Sequence, residues 1–298
     1  MGDARQRPLP PEAEDFLLNQ ASPSTAAVYR REIAKLVGFL GRPLDEVTGR
    51  DLMAYRRTLQ GLKPATICRK LSTVRSLFRF LAEGGYREGN PAQVLKLPKA
   101  VHLSPYRILT PSELRTLLAQ PDLGKPIGIR DKAMLMILAV NGLRESELVN
   151  IDREDLSRLD GYSVAVVRGK GAKVRISKIA GAVAEALDRW LEIHICPTGP
   201  LFVATRGGRV TANRISTRSV RYRVRHYARK AGITRKVWPH ALRHAAITHS
   251  LANGASILKV KEMAGHASLT TTQRYLHDLD TLADNAVDYN PLTRGEAT

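Results

Sequence analysis

The sequence predicts a mainly α-helical protein with a small antiparallel β-sheet, divided into two domains. Its 298 residues suit about two domains. Apolar residues recur at helical spacing through both halves, whereas a short Val-rich alternation stands alone between Ser163 and Ile176. Caps and glycine–proline punctuation mark the borders of the helical segments.

In the first half, Ser22 precedes Pro23, an N-cap with proline at the first helical position, ahead of an apolar face of Val28, Ile33, Leu36, Val37 and Leu40. Gly41 and Pro43 stop that helix. Thr48 with Asp51 forms a capping-box pattern before Leu52, Tyr55 and Leu59. A further helix runs from about Pro64 through Leu71, Val74, Leu77, Phe78 and Leu81 to the Gly84-Gly85 pair. Residues 8–96 thus read as an all-helical domain of about four helices, with Arg56, Arg57, Lys63, Arg69, Lys70, Arg75 and Arg79 on its polar faces. The helical period then lapses, and Pro98 and Pro105 with Lys96, Lys99 and His102 mark residues 97–106 as an extended basic linker.

The second domain, 107–298, opens on the cap Thr110-Pro111-Ser112-Glu113. A very apolar helix follows from Ala133 to Val140, which must be buried, and Asn141-Gly142 turns the chain. The alternation from Ser163 to Ile176 around Gly169-Lys170-Gly171 reads as a β-hairpin with lysine at its turn. Leu201–Val203 and Val210 suit short strands around Gly207-Gly208.

Lys and Arg number 47 against 28 Asp and Glu, a formal charge of +19 that points to a polyanionic partner. No acid occurs from Ile193 to Lys261, a stretch carrying Arg206, Arg209, Arg214, Arg218, Arg221, Arg223, Arg225, Arg229, Lys230, Arg235 and Lys236. Such a surface, lacking counter-charges, suits phosphates. Lys63, Arg69 and Arg75 in the first domain and Arg214, Arg218 and Arg221 in the second are the candidate DNA contacts. No apolar run approaches the roughly 18 residues of a membrane span, and the start lacks the apolar core of a secretory signal, so a cytoplasmic, nucleoid-associated protein is expected. Cys68 and Cys196 are too few for a metal quartet and too far apart for a CxxC site, leaving two reduced thiols.

Three clusters carry chemistry: Gly142-Leu143-Arg144-Glu145-Ser146-Glu147-Leu148, then His240-Ala241-Leu242-Arg243-His244, then Gly265-His266 with Tyr275 nine positions later. His240 and Arg243 are three apart, so one helix face would present both, with Leu242 and Ala246 buried behind. Arg144 follows a tight turn at a helix start, where Glu147 is placed to hold it or the nearby backbone. An arginine fixed in this way offers its planar fork to two phosphate oxygens.

In order and company, GLRESEL, the GKG hairpin, PHALRHAAITHSLANG and AGHASLTTTQRYLH resemble the tyrosine recombinase (phage integrase) family, most closely its Xer-type members. The resemblance covers both domains and implies an N-terminal helical, SAM-like core-binding domain followed by a catalytic domain. It implies that Arg144 and Arg243 clamp the scissile phosphate, that Lys170, His240 and His266 complete the pocket, and that Tyr275 is the nucleophile. Arginines can stabilise the charge that gathers on a phosphate in transfer without a metal, so neither metal nor cofactor is expected. A tyrosine hydroxyl with a pKa near 10 needs a base, for which His240 is the candidate, with His266 hydrogen-bonding the phosphate. Lys170 would protonate the departing 5′-oxygen, with Lys173 as the other choice. The energy of the cleaved bond would be kept in a 3′-phosphotyrosyl link.

The resemblance further implies a homotetramer or heterotetramer on two double-stranded DNA sites, exchange through a Holliday junction, and an accessory protein in some systems. The chain departs from the family at Ala264, where leucine is common, and at Leu276, where threonine is common, which weighs against a specific assignment to chromosome dimer resolution. Leu279, Leu282, Ala286 and Val287 suit an amphipathic tail helix that docks either on a neighbouring protomer or on its own. Two other readings share the scaffold: a noncatalytic DNA-binding architectural or regulatory protein, and a type IB topoisomerase-like relaxing enzyme. His240 and His244 imitate half of a zinc-protease helix, but the glutamate is absent, and GKGAK lacks the frame of a nucleotide-binding loop.

Overall fold

The structure is a computed structural model that describes residues 8–20, 22–98, 108–169, 173–179, 181–207, 209–266 and 268–273. It is mostly helical with small antiparallel sheets and divides into two compact units, the first through Leu103 and the second from Ser104.

The first unit holds α1 (Pro11–Leu18), α2 (Pro23–Leu40), α3 (Gly49–Thr58) and α4 (Pro64–Glu83), then a 3₁₀ turn, Pro91–Val94. Proline sits in the first turn of α1, α2 and α4, where no backbone donor is lost to the helix. Thr48 caps α3 reciprocally with Asp51: the Thr48 amide donates to Oδ2 at 2.9 Å. Gly41 closes α2 at φ 61°, the left-handed conformation that glycine adopts without strain. Leu36, Leu52, Leu71, Leu77 and Phe78 fill the core with no exposed surface. One expectation fails here. Lys70 is not on a polar face but buried, its Nζ 2.5 Å from Oε2 of Glu32, whose Oε1 takes Arg69 at 2.8 Å. A buried carboxylate recruits both cations to stay ionised.

The second unit runs α5 (Pro111–Leu118), α6 (Pro126–Met136), a π turn (Ile137–Asn141), α7 (Glu145–Val149), β1 (Leu156–Leu159), β2 (Tyr162–Arg168), β3 (Val174–Ile179) and α8 (Ala182–Glu192). Then come β4 (Val203–Arg206), β5 (Arg209–Arg214), α9 (Thr217–Lys230), α10 (Pro239–Ala252), α11 (Ile257–Ala264) and α12 (Leu269–Gln273). The Thr110 capping box forms, with the Thr110 amide 2.9 Å from Glu113 Oε2.

The apolar helix begins earlier than Ala133, because Pro126 can open it, and its last turn widens into the π turn. The hairpin is part of a three-stranded sheet in the order β1-β2-β3. The missed strand enters through Asp160-Gly161, both at positive φ (49° and 78°), the geometry of a two-residue hairpin turn. β4 and β5 pair antiparallel as a separate ribbon around Gly207. In α8 the positions Val183, Ala186, Leu187 and Trp190 face the core, and Trp190 Nε1 donates to Leu201 O at 2.8 Å. Beneath them Arg130 and Asp131, both buried, join α6 to the Val203 carbonyl (2.7 Å) and to the Tyr227 hydroxyl of α9 (2.9 Å). The linker expected over 97–106 lies, beyond Pro98, outside the described residues, as does the tail helix.

Two glycines set opposite expectations for stability. A Cβ at Gly128 in α6 would overlap the Asp122 carbonyl, whereas one at Gly38 in α2 would meet nothing within 4 Å. Denaturant unfolding should show Gly128→Ala losing about 2 kcal/mol or more. Gly38→Ala should gain about 0.5–1 kcal/mol. Equal effects at the two positions would contradict this packing.

Candidate active site

The site is built around a turn and a carboxylate. The π turn ends at Asn141, and Gly142 (φ 61°) swings the chain so that Arg144 stands at the N-cap of α7. There the Arg144 backbone amide donates to Glu147 Oε2 (2.9 Å) and its guanidinium Nη1 to Oε1 (2.7 Å), so one carboxylate holds both the backbone and the side chain. Glu147 is 3% exposed. Burial pushes its pKa up, but the bonds from Arg175, from the Arg144 amide and from the Arg144 guanidinium outweigh that, and the carboxyl titrates below its ordinary value.

Arg243, on α10, is 1% exposed. Its Nη1 donates to Gly142 O (2.6 Å) and its Nη2 to Ala264 O (2.7 Å), with Nη1 4.0 Å from Glu147 Oε2. The spacing of three puts His240 and Arg243 beside one depression; the two carbonyls hold the Arg243 guanidinium buried, while His240 is exposed. The depression measures about 480 Å³, and Arg144, Glu145, Ser146, Arg221 and Trp238 complete its wall. Arg221 is ion-paired with Glu145 there.

Both histidines are pushed toward the neutral form. Burial, then the Arg243 and Arg144 guanidiniums, lower the pKa of His240, whose ring lies among the pocket walls although its edge meets solvent. His266 follows Gly265, which closes α11 at φ 62°, and its Nδ1 lies 2.9 Å from the Thr272 hydroxyl. Burial and the charges of Arg243, Arg144, His240 and Arg175 lower it to about 4.

Arg144, Glu147, His240, Arg243 and His266 are therefore neighbours in space, coupled by contacts or charge. Lys170 and Tyr275 lie outside the described residues. The foot of the hairpin is described: the Gly169 amide donates to Lys173 O at 2.7 Å, and a Cβ on Gly169 would stand 3.5 Å from Glu147 Oε1. The strand ends that lead to Lys170 thus abut the arginine cluster, and Lys173 is exposed beside them.

Sequence reasoning missed Arg175. Its Nη1 and Nη2 reach Glu147 Oε1 and Oε2 at 3.1 and 2.8 Å. The apolar alternation of Val174 and Ile176 would put Arg175 outward, yet those two are 61% and 57% exposed, and Arg175 pairs in register with buried Val167 at an inward position of the strand.

The basic stretch from 193 to 261 also needs correcting, because acids distant in sequence supply counter-charges. Arg214 pairs with Asp152 (2.5 Å) and also donates to Val149 O, Arg221 pairs with Glu145, Arg223 lies 3.4 Å from Asp131 and Arg235 pairs with Glu113. Arg69 pairs with Glu32 in the first unit. Among the described residues Lys63, Arg75 and Arg218 are exposed without an ion pair, as are Arg206, Arg209 and Arg229.

Fixed guanidiniums beside neutral imidazoles make a site for an anion that gathers charge, such as a phosphate diester. Residues 107–281 match the phage integrase family, and residues 14–85 match its N-terminal SAM-like domain. The chain is 34% identical over 285 residues to a tyrosine recombinase XerC of Thermodesulfovibrio yellowstonii, covering 92% of each chain. It is 34% identical to a tyrosine recombinase XerD of Vibrio cholerae over 266 residues, 85% of each. A solved XerH site-specific recombinase bound to palindromic difH substrate, a post-cleavage complex, shares the fold with a TM-score of 0.72 at 20% identity, over 89% of this chain and 79% of that one. The chain belongs to the phage integrase family, the tyrosine-type site-specific recombinases, and within it is similar to the Xer members.

The depressed His266 pKa sets a pH dependence. Unfolded, the residue takes a proton near pH 6.5; folded, it refuses one until about pH 4. The unfolded state binds more protons in that window, so stability rises with pH across it and is lost as pH falls. Urea unfolding should show a slope of up to about 1.4 kcal/mol per pH unit from this residue between those limits, and His266→Gln should remove it. An unchanged slope in the variant would place the dependence elsewhere.

Proposed function

We propose that this protein cuts and rejoins double-stranded DNA at specific sites through a 3′-phosphotyrosyl intermediate. The observation that supports this most is the pairing of Arg144 and Arg243 around one depression, each already held by the protein before any phosphate arrives. Preplaced donors stabilise developing charge without reorganising at the moment of reaction.

In this reading the scissile phosphate lies in the depression with its nonbridging oxygens on Arg144 and Arg243. The Tyr275 phenolic oxygen bonds to phosphorus as the bond from phosphorus to the 5′-oxygen breaks. His240, neutral because of its depressed pKa, accepts the phenolic proton. His266 is neutral as well; its Nδ1 pairs with the Thr272 hydroxyl, which leaves Nε2 for a hydrogen bond to the phosphate. Lys170, which lies between β2 and β3 in sequence, gives a proton to the leaving 5′-oxygen. The 5′-hydroxyl of a second strand then attacks the phosphotyrosine, the reverse of cleavage, with no outside energy source.

Residues 8–96 act as a DNA-binding domain, 97–106 as the linker and 107–298 as the catalytic domain. Lys63, Arg75 and Arg218 contact the DNA backbone; Arg69, Arg214 and Arg221 do so by exchanging a carboxylate partner for phosphate. The protein assembles as a tetramer, of one or two kinds of subunit, that passes through a Holliday junction, and it works on cytoplasmic DNA. Among the described residues no helix is long and apolar enough to cross a membrane.

Covalent trapping tests the reading. Duplexes that the wild-type protein enriches from a randomised pool are nicked, incubated with it, denatured and sized. A protein–DNA adduct is expected, absent with Tyr275→Phe, and joint products are expected when two labelled sites are mixed. Arg144→Ala should bind the duplex but form adduct about 10²–10³-fold more slowly. Binding without any adduct would favour a noncatalytic DNA-binding protein, and adduct without joint products a relaxing enzyme.

A further inference from the structure

We infer that Arg175 is a positioning residue for cleavage: by occupying half of the Glu147 carboxylate, it keeps Arg144 and Arg243 turned toward the phosphate. This rests on the recombinase reading above.

An ionised carboxylate offers about four lone-pair sites. Those of Glu147 receive four donors. Oε1 takes Nη1 of Arg144 (2.7 Å) and Nη1 of Arg175 (3.1 Å); Oε2 takes the Arg144 amide (2.9 Å) and Nη2 of Arg175 (2.8 Å). Arg144 thus gives the carboxylate one corner of its fork, and its side chain stays 38% exposed along the wall of the depression. Without Arg175, two acceptor sites on a buried anion would open. The nearest cations are the clamping arginines: Arg144 could fold its whole fork onto the carboxylate, and Arg243 Nη1, 4.0 Å from Oε2, could close on it. Either movement withdraws donors from the phosphate.

Arg175 itself is fixed from two sides. Its guanidinium lies against Gly265, where a Cβ would approach Nη1 to 2.8 Å and Cζ to 3.0 Å, so glycine at that position provides both the left-handed turn and the room. The next residue is His266. On the same strand, Ser177 Oγ and the Lys178 carbonyl accept from Asn141 Nδ2 at 3.0 and 2.7 Å, tying β3 to the turn before Arg144. Arg175 therefore links the hairpin strand, the Arg144–Glu147 pair and the Gly265-His266 segment. Its side chain is 15% exposed and does not line the depression, so it acts through Glu147 and not by touching phosphate. Lysine keeps the charge but cannot bridge both oxygens with a flat fork.

The test uses the full chain and the nicked duplexes described above. Arg175→Lys should lower the single-turnover rate of adduct formation about 10- to 100-fold, the scale of a misplaced reacting group, while its affinity for the same duplex stays within about threefold of wild type. In a Glu147→Gln background, Arg175→Lys should cost less than about threefold more, because the carboxylate it manages is gone. Gly265→Ala, which displaces the guanidinium without altering any charge, should slow adduct formation and should not add to Arg175→Lys. Wild-type rates in Arg175→Lys, an equal loss in both backgrounds, or a loss confined to DNA affinity would each overturn the inference while leaving the recombinase reading intact. No adduct with the wild-type protein would overturn both.

Discussion

Burying an unpaired carboxylate costs several kcal/mol, and Glu147 is buried with three guanidiniums around it. That arrangement is stable only as a set. The carboxylate needs donors to remain charged at 3% exposure, and the arginines need an anion to lie so near one another. Within this set one negative charge faces three positive ones, a surplus that suits an external anion. The depression above Arg243 is where that anion can enter.

Much of the second unit is arranged to serve this cluster. The π turn and Gly142 set the start of α7, Arg243 reaches under that turn from α10, and β3 brings Arg175 in from the side. The same positive surplus acts on the histidines. His240 and His266 titrate low because they are desolvated among these guanidiniums, so the cations that would hold a phosphate also keep the imidazoles neutral. Holding a phosphate and keeping an imidazole free to accept a proton would thus both draw on a single electrostatic field.

The local signals were legible in the sequence. Pro23, the Thr48–Asp51 and Thr110–Glu113 boxes and Gly41 act within a turn of themselves, and each marks a real helix end. Glu147 could be assigned to Arg144 because three residues on a helix start are a short reach. Contacts made across the fold could not be read. Nothing near Lys70 in sequence announces Glu32, and nothing between Ile193 and Lys261 announces that Asp152, Glu145, Asp131 and Glu113 pair with four of its arginines. Arg175 was not legible either: its apolar neighbours Val174 and Ile176 are exposed positions of the strand, against the alternation, and its partner lies 28 residues upstream. The Asp160-Gly161 turn is a plain hairpin signal, but the four residues of β1 alternate poorly, with only Leu156 partly buried.

The arginines are held in place before DNA arrives. Nitrogen-15 relaxation and hydrogen exchange of arginine side chains in the DNA-free protein test this directly. Slow rotation is expected about the Nε–Cζ bonds of Arg144, Arg175 and Arg243, with Arg144 released when Glu147 is replaced by glutamine. Rapid rotation of Arg144 and Arg175 in the wild-type protein would show that the cluster forms only on binding and would contradict this.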